Sequence, residues 1–311
     1  SPTFVKFITG ITQRFIQKYE LYEKLVLEIG CGKGDFLRLI SELGDNRGIG
    51  IDPSWVPGRV KENAQLKFIT DFYNVTHGHF KPDSIVCRHT LEHIYDTNDF
   101  LHKIRTACGS RKPILLFEVP CVLRILKDQA FWDIFGEHCA YFSPGSLARL
   151  FRRNGFEVLD IYIEYDQQYL FIEARPVEMP SMTIHPLEET PDELFQLAES
   201  FAQRVQQQLT VWRTRLNEFK RANKKVVLWG GGSKSVGFLT QFHDIGVISH
   251  VIDINPHLTG NYIPGIGIQY VQPESMQDYQ PDVVITMNSV YLKEVKQKLA
   301  SIGLQPEIIG L

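Results

Sequence analysis

Seven residues, Glu28-Ile29-Gly30-Cys31-Gly32-Lys33-Gly34, constrain this chain more than any other stretch. They follow an apolar run of strand length, Leu25–Ile29, and precede a helical pattern over 34–42. Glycines placed between a strand and a helix let the backbone turn tightly and let a ligand approach main-chain atoms. Asp52, 20 residues past Gly32, closes the next strand at 48–51, where a carboxylate can accept both hydroxyls of a ribose. Asp71 ends a third strand over 67–70, with Phe72 beside it, at the level of an adenine edge. All three elements fall at carboxyl ends of neighbouring strands, the rim where open α/β sheets bind ligands.

Strand-length runs continue at 84–87 and 114–119, with a helical pattern at 100–107. That alternation implies a parallel sheet with right-handed crossovers. Ser143-Pro144 reads as a cap and first-turn proline for a helix reaching Asn154, which Gly155 ends. Two β-rich stretches, 156–163 and 168–174, lie close enough to pair antiparallel and bring the strands to seven. A further helix is expected over 8–22, ahead of the first strand.

After a proline-containing linker over 175–191, Thr190-Pro191-Asp192-Glu193 spells a capping box. Leu194, Ala198, Phe201, Val205, Leu209, Trp212, Leu216 and Phe219 then form one apolar stripe. This long helix is expected to join two domains, with an oligomer interface as the alternative. A second α/β unit starts at Lys225: a strand over 226–229, the turn Gly230-Gly231-Gly232-Ser233, a helix over 235–242, and strands at 250–252 and 282–286. The expected organisation is a seven-strand Rossmann-like domain over 1–178, a linker and long amphipathic helix over 179–222, and a smaller Rossmann-like domain over 223–311. Two domains also suit 311 residues.

Composition removes other classes. Net charge is −3 with basic residues dispersed, so no footprint for a nucleic-acid backbone exists. No apolar run approaches the roughly 20 residues of a membrane span, and no signal peptide opens the chain. Five cysteines without a CxxC pair argue against a disulfide framework or zinc ribbon and suit a reducing cytoplasm. The expected form is a cytoplasmic monomer or homodimer without a metal.

An acidic residue ahead of GCGKG would repel a dinucleotide's pyrophosphate but suits the ammonium and sulfonium of S-adenosylmethionine. EIGCGKG with GIDPS, and DSIVCRHTLEHI at 83–94, resemble the class I methyltransferases. The resemblance implies S-adenosylmethionine as cofactor, S-adenosylhomocysteine as product, and a cofactor site of Glu28, Gly30, Cys31, Gly32, Gly34, Asp52, Pro53, Asp71, Phe72, Arg88, His89 and His93. Glu92 lines the same loop.

A second resemblance is to the C-methyltransferases acting on nucleotide-linked 4-keto-deoxysugars. Gly136-Glu137-His138-Cys139-Ala140-Tyr141-Phe142-Ser143, LWGGGSKSVGF and VIDINPHLTGNYIPGIGI (251–268) carry it. It implies His138 as general base, Glu137 as its orienter or a substrate contact, and Tyr141 as a further catalytic candidate. It implies a nucleotide-sugar partner held by Glu118, Pro120, Lys234, Asn255, His257 and Tyr262. A sugar carbon has no lone pair and must first lose a proton beside a carbonyl, which a histidine of pKa about 6.5 is suited to accept. This sequence departs from the family at Phe135 and Gly136, where Tyr-His is usual, and in having no N-terminal cysteine zinc module, trimmed away or never present. O- or N-methylation of a sugar or small metabolite, and non-catalytic binding of the cofactor, are the alternative readings.

Overall fold

The computed structural model describes residues 1–58 and 60–311. They form two compact units: Ser1–Arg124 with Glu137–Phe195, and Ile125–Gly136 with Gln196–Leu311.

The first unit is built on β1 (Leu25–Ile29), β2 (Arg47–Ile51), β3 (Leu66–Ile69), β4 (Ser84–Arg88), β5 (Ile114–Pro120), β6 (Phe156–Glu164) and β7 (Tyr169–Pro176). Their order is β3-β2-β1-β4-β5-β7-β6. Strands β1 to β5 pair parallel, and β7 runs antiparallel to both β5 and β6. The expected seven strands, with an antiparallel pair last, are all present. Their near-continuous apolar character follows from burial on both faces. Leu27, Cys87 and Phe117 enter one layer with Phe100, Leu101, Leu147 and Phe151. The alternating set Val26, Val86 and Leu116 enters the other, with Ile11, Phe15, Leu37 and Ile40.

The first helix covers Pro2–Tyr19, not 8–22. Proline in its first turn sets the start early, and Glu20, at φ 51°, turns left-handed and ends it before Tyr22. The cap at Ser143 forms as read, with Ser146 N–H donating to Ser143 Oγ at 3.3 Å.

The second unit carries a five-strand parallel sheet of β8 (Val226–Trp229), β9 (Ile248–Ile252), β10 (Gln269–Val271), β11 (Val283–Thr286) and β12 (Glu307–Gly310), in the order β10-β9-β8-β11-β12. β10 and β12 do not stand out in the sequence because they are short edge strands with little apolar alternation. Segment Ile125–Gly136 follows β5 in the chain yet belongs to this unit. Ala130 and Trp132 are buried in its core with Trp212, Leu216, Phe238 and Phe242.

The long helix spans Pro191–Arg221, with Thr190 N–H donating to Glu193 Oε2 at 2.8 Å and Glu193 N–H to Thr190 Oγ1 at 3.2 Å. Of its apolar stripe only Trp212 and Leu216 are buried. No helix among the described residues is long and apolar enough to cross a membrane.

Candidate active site

β1 and β4 lie side by side, Ile29 opposite Cys87, so the loops after them leave the same sheet edge. In the turn after β1, Gly30 N–H donates to the Ile51 carbonyl and Gly34 N–H to the Cys31 carbonyl, each at 2.8 Å. Gly30 and Gly34 have φ of +71° and +80°. A Cβ at Gly30 would stand 1.9 Å from Thr90 Oγ1, and one at Gly34 2.6 Å from the Phe68 ring. Conformation and crowding therefore both demand glycine. Cys31 is buried beneath the turn.

Asp52 knits this turn to β2. Its Oδ2 accepts from Gly32 N–H at 2.8 Å and its Oδ1 from Ser54 N–H and Oγ at 2.8 and 2.6 Å. Oδ2, with a single donor, keeps a lone pair for a further one. Pro53 is exposed beside it, and Asp71 and Phe72 sit exposed after β3, Phe72 being 74% accessible. Trp55, which no sequence signal singles out, stacks on Phe68 at 4.8 Å.

Glu28, on β1, is buried, and its Oε2 has no hydrogen-bond partner among the described residues. Burial lifts its pKa to about 8, against the pull of Arg88. A buried acid with an open acceptor is the complement of a cationic group. The open turn, the acid after β2 and this carboxyl together fit S-adenosylmethionine, with Glu28 toward the charged methionine end.

Three residues expected to touch ligands hold one another. Glu118, expected to hold the nucleotide-sugar, is fully buried in β5, with Oε2 on Arg88 Nε and Oε1 3.1 Å from His89 Nε2. Burial would raise its pKa, but Arg88 and His89 hold it down to about 2. The Arg88 guanidinium also lies 4.5 Å over the Phe36 ring. Burial disfavours the charged form of His89, but Glu118 and Glu92 outweigh this and raise it to about 9. Both Glu118 oxygens are thus engaged inside the protein, by Arg88 and by His89. Pro120 ends β5, partly buried, and pairs with Tyr169.

Beyond β4 a short turn, Leu91–His93, carries Glu92 inward. Glu92 is buried, with Oε1 3.4 Å from His89 Nδ1. Its main-chain carbonyl accepts from Cys139 N–H at 2.8 Å and Ala140 N–H at 3.1 Å. The Glu137-His138 loop is thereby pinned to the loop whose Thr90 abuts Gly30. His93 Nδ1 lies 3.1 Å from the Glu137 carbonyl. The His93 and His138 rings meet edge to face at 4.8 Å, and Tyr141 lies 5.9 Å from His138. Burial lowers the His138 pKa, with Glu92 the first charge opposing it. Glu137 is exposed, so its main chain, not its carboxylate, is what the fold uses here. Thr90 is the contact that sequence reasoning misses, since nothing local marks a threonine that packs on a distant glycine.

The second unit repeats the turn by itself. Gly230 N–H donates to the Ile252 carbonyl at 2.8 Å and Gly231 N–H to Asp253 Oδ2 at 2.6 Å. Lys234, expected to hold the nucleotide-sugar, pairs with Asp133 at 3.1 Å. Asn255 accepts from His257 N–H at 3.1 Å in an exposed loop, and Tyr262 is 59% accessible.

A methyltransferase-domain family model matches residues 6–161, and a C-methyltransferase C-terminal domain model matches 188–305. The chain belongs to the class I S-adenosylmethionine-dependent methyltransferases. A curated relative, C-methyltransferase NovU of Streptomyces niveus, is 30% identical over 148 residues, 44% of this chain and 34% of the relative. The match thus spans about a third of that relative's length. Among solved structures, 1,6-didemethyltoxoflavin-N1-methyltransferase of Burkholderia thailandensis aligns over 55% of this chain and 79% of its own, at 16% identity and TM-score 0.41. Magnesium protoporphyrin IX methyltransferase of Synechocystis PCC 6803 aligns over 56% and 80%, at 14% identity and TM-score 0.40.

Proposed function

We propose that this chain transfers a methyl group to a carbon of a nucleotide-linked keto-deoxysugar, with His138 as the general base. One observation carries the reading: the Glu137-His138 loop is tied through Glu92 to the loop that packs on Gly30, so a base and a cofactor turn share one sheet edge. When bound, S-adenosylmethionine supplies an electrophilic methyl on a good leaving group.

The chain's residues do the rest. Glu28 and the glycine turn hold the charged end of the cofactor, and Asp52 takes the ribose. His138, kept below its ordinary pKa by burial, stays neutral and takes a proton from the carbon beside the sugar ketone, leaving an enolate. Tyr141, whose ring lies 5.9 Å from that of His138, would donate to that enolate oxygen. Positioning supplies much of the remaining rate, because the nucleophile must lie in line with the methyl. For the second unit, the exposed loop of Asn255, His257 and Tyr262 supports a role in holding the nucleotide part. A phosphate contact by Lys234 requires it to leave Asp133.

The test is mass spectrometry of the chain with labelled S-adenosylmethionine and a panel of keto-sugar nucleotides in deuterated water. C-methylation needs exchange or loss of the hydrogen beside the ketone; a product methylated on oxygen or nitrogen, with that hydrogen kept, overturns the reading. His138→Ala should abolish transfer and leave S-adenosylhomocysteine affinity within a few-fold. Loss of that affinity instead would mean His138 holds the cofactor.

A further inference from the structure

We propose that Glu92, His93 and His138 bind one divalent transition-metal ion of the zinc class. Among the described residues, one trio of His, Cys, Asp or Glu side chains brings its ligating atoms within 4.8 Å of one another, and it is this one. Two imidazoles and a carboxylate suit zinc and its borderline-soft neighbours, not calcium or magnesium, which take oxygen-rich shells. Tetrahedral bonds of about 2.1 Å need ligand atoms about 3.4 Å apart, and His93, on the exposed side of the trio, can rotate to close that gap.

Two details go beyond a chance cluster. Glu92 is 2% accessible, and its Oε2 has no partner among the described residues although burying it is costly. Its other oxygen is directed by His89. One oxygen of Glu92 is thus held by a histidine while the other has an unused acceptor, the state in which second-shell partners hold a metal-bound carboxylate. His93 shows the same arrangement. A carbonyl can only accept, so His93 Nδ1 carries the proton in its contact with the Glu137 carbonyl, and Nε2 keeps its lone pair. Binding through one ring nitrogen while the other donates to a carbonyl is the usual posture of a ligating histidine.

Three protein ligands leave a fourth position open. The proposal stands apart from the methyl-transfer reading, but the two touch at one atom pair. A His138 lone pair given to a metal is not available for a proton, so the occupied chain is base-incompetent. Zinc occupancy would then be a reversible brake on any reaction that uses His138.

The experiment is calorimetric titration of the metal-free chain with Zn2+, together with the visible spectrum of bound Co2+, on wild type, Glu92→Gln, His93→Ala and Cys139→Ser. Neither readout depends on turnover, so failure of the sugar assay and failure of the metal site are separate results. We expect one ion per chain in wild type and Cys139→Ser, with affinity reduced at least roughly ten-fold in Glu92→Gln and in His93→Ala. Melting curves of the metal-free variants show whether each folds, and His93, being exposed, can be replaced without opening the core. No stoichiometric binding in wild type overturns the proposal. So does binding that survives both Glu92→Gln and His93→Ala, and so does loss confined to Cys139→Ser, which would place the ion on the neighbouring thiolate.

Discussion

At the scale of residues, the largest surprise is how much charge is spent inside the first unit. Family resemblance implies that Glu118 holds the nucleotide-sugar. Its register on β5 puts it opposite Arg88, and there the two neutralise each other. Breaking such a buried pair leaves an uncompensated charge, so Glu118→Gln should lower stability by about 3–5 kcal/mol. The pH dependence has a defined sign. Glu118 takes its proton near 4.5 when unfolded but only near 2 when folded, so its contribution is present above pH 4.5 and lost as pH falls toward 2. His89 moves from 6.5 to about 9; its share is present below pH 6.5 and lost as pH rises through 9. The melting-temperature gap between wild type and Glu118→Gln should therefore be widest between pH 4.5 and 6.5 and shrink on both sides. A gap that does not vary with pH would rule out the pairing as its source.

At the scale of elements, the strand–turn–helix unit was legible because backbone geometry dictates it. A turn that needs positive φ at Gly30 and Gly34 leaves glycine as the residue without strain, and the spacing can be read off directly. Gly30→Ala should cost about 1–3 kcal/mol from backbone strain, more once the clash with Thr90 is included. S-adenosylhomocysteine affinity measured by calorimetry should fall more than the melting temperature does. Equal affinity in the folded variant would show that the turn does not contact the cofactor. The central strands were equally legible, since parallel strands buried on both faces read as unbroken apolar runs. The edge strands β10 and β12 were not. They bury little and carry no period, so their pairing is settled by the neighbour they meet. The long helix shows a subtler limit: its stripe runs over 25 residues of sequence, yet burial is confined to Trp212 and Leu216. Periodicity states which face is apolar, not how much of it is covered.

At the scale of the whole molecule, chain order and spatial order part company. The segment Ile125–Gly136 is read from sequence as a connection inside the first domain, but Ala130 and Trp132 fill the core of the second unit. A Cβ added at Gly237 would come within 3.1 Å of Trp132 main-chain atoms, so the helix Ser233–Phe242 lies directly against this insert. A fragment beginning at residue 188, where the C-terminal family match starts, lacks that insert. It should expose apolar surface and fail to melt cooperatively. In the full chain Trp132→Ala should cost about 3–5 kcal/mol, read as a lower denaturation midpoint. A fragment of 188–311 that folds with a sharp transition would refute this assignment of the core.

Sequence alone determined the parts that depend on neighbours along the chain. These are the glycine turn, the acid after the second strand, the helix caps, the run of central strands and the Glu137-His138 string. Each is a local conformational or chemical requirement, and a short stretch of residues states it completely. Tertiary structure decided everything that depends on which distant groups share a small, poorly solvated space. It made Glu118 a buried counter-ion, set Thr90 against Gly30, gave an inserted tryptophan to the second unit, and brought side-chain atoms of Glu92, His93 and His138 within 4.8 Å of one another. Desolvation and close packing act through space, and no spacing along the chain records them.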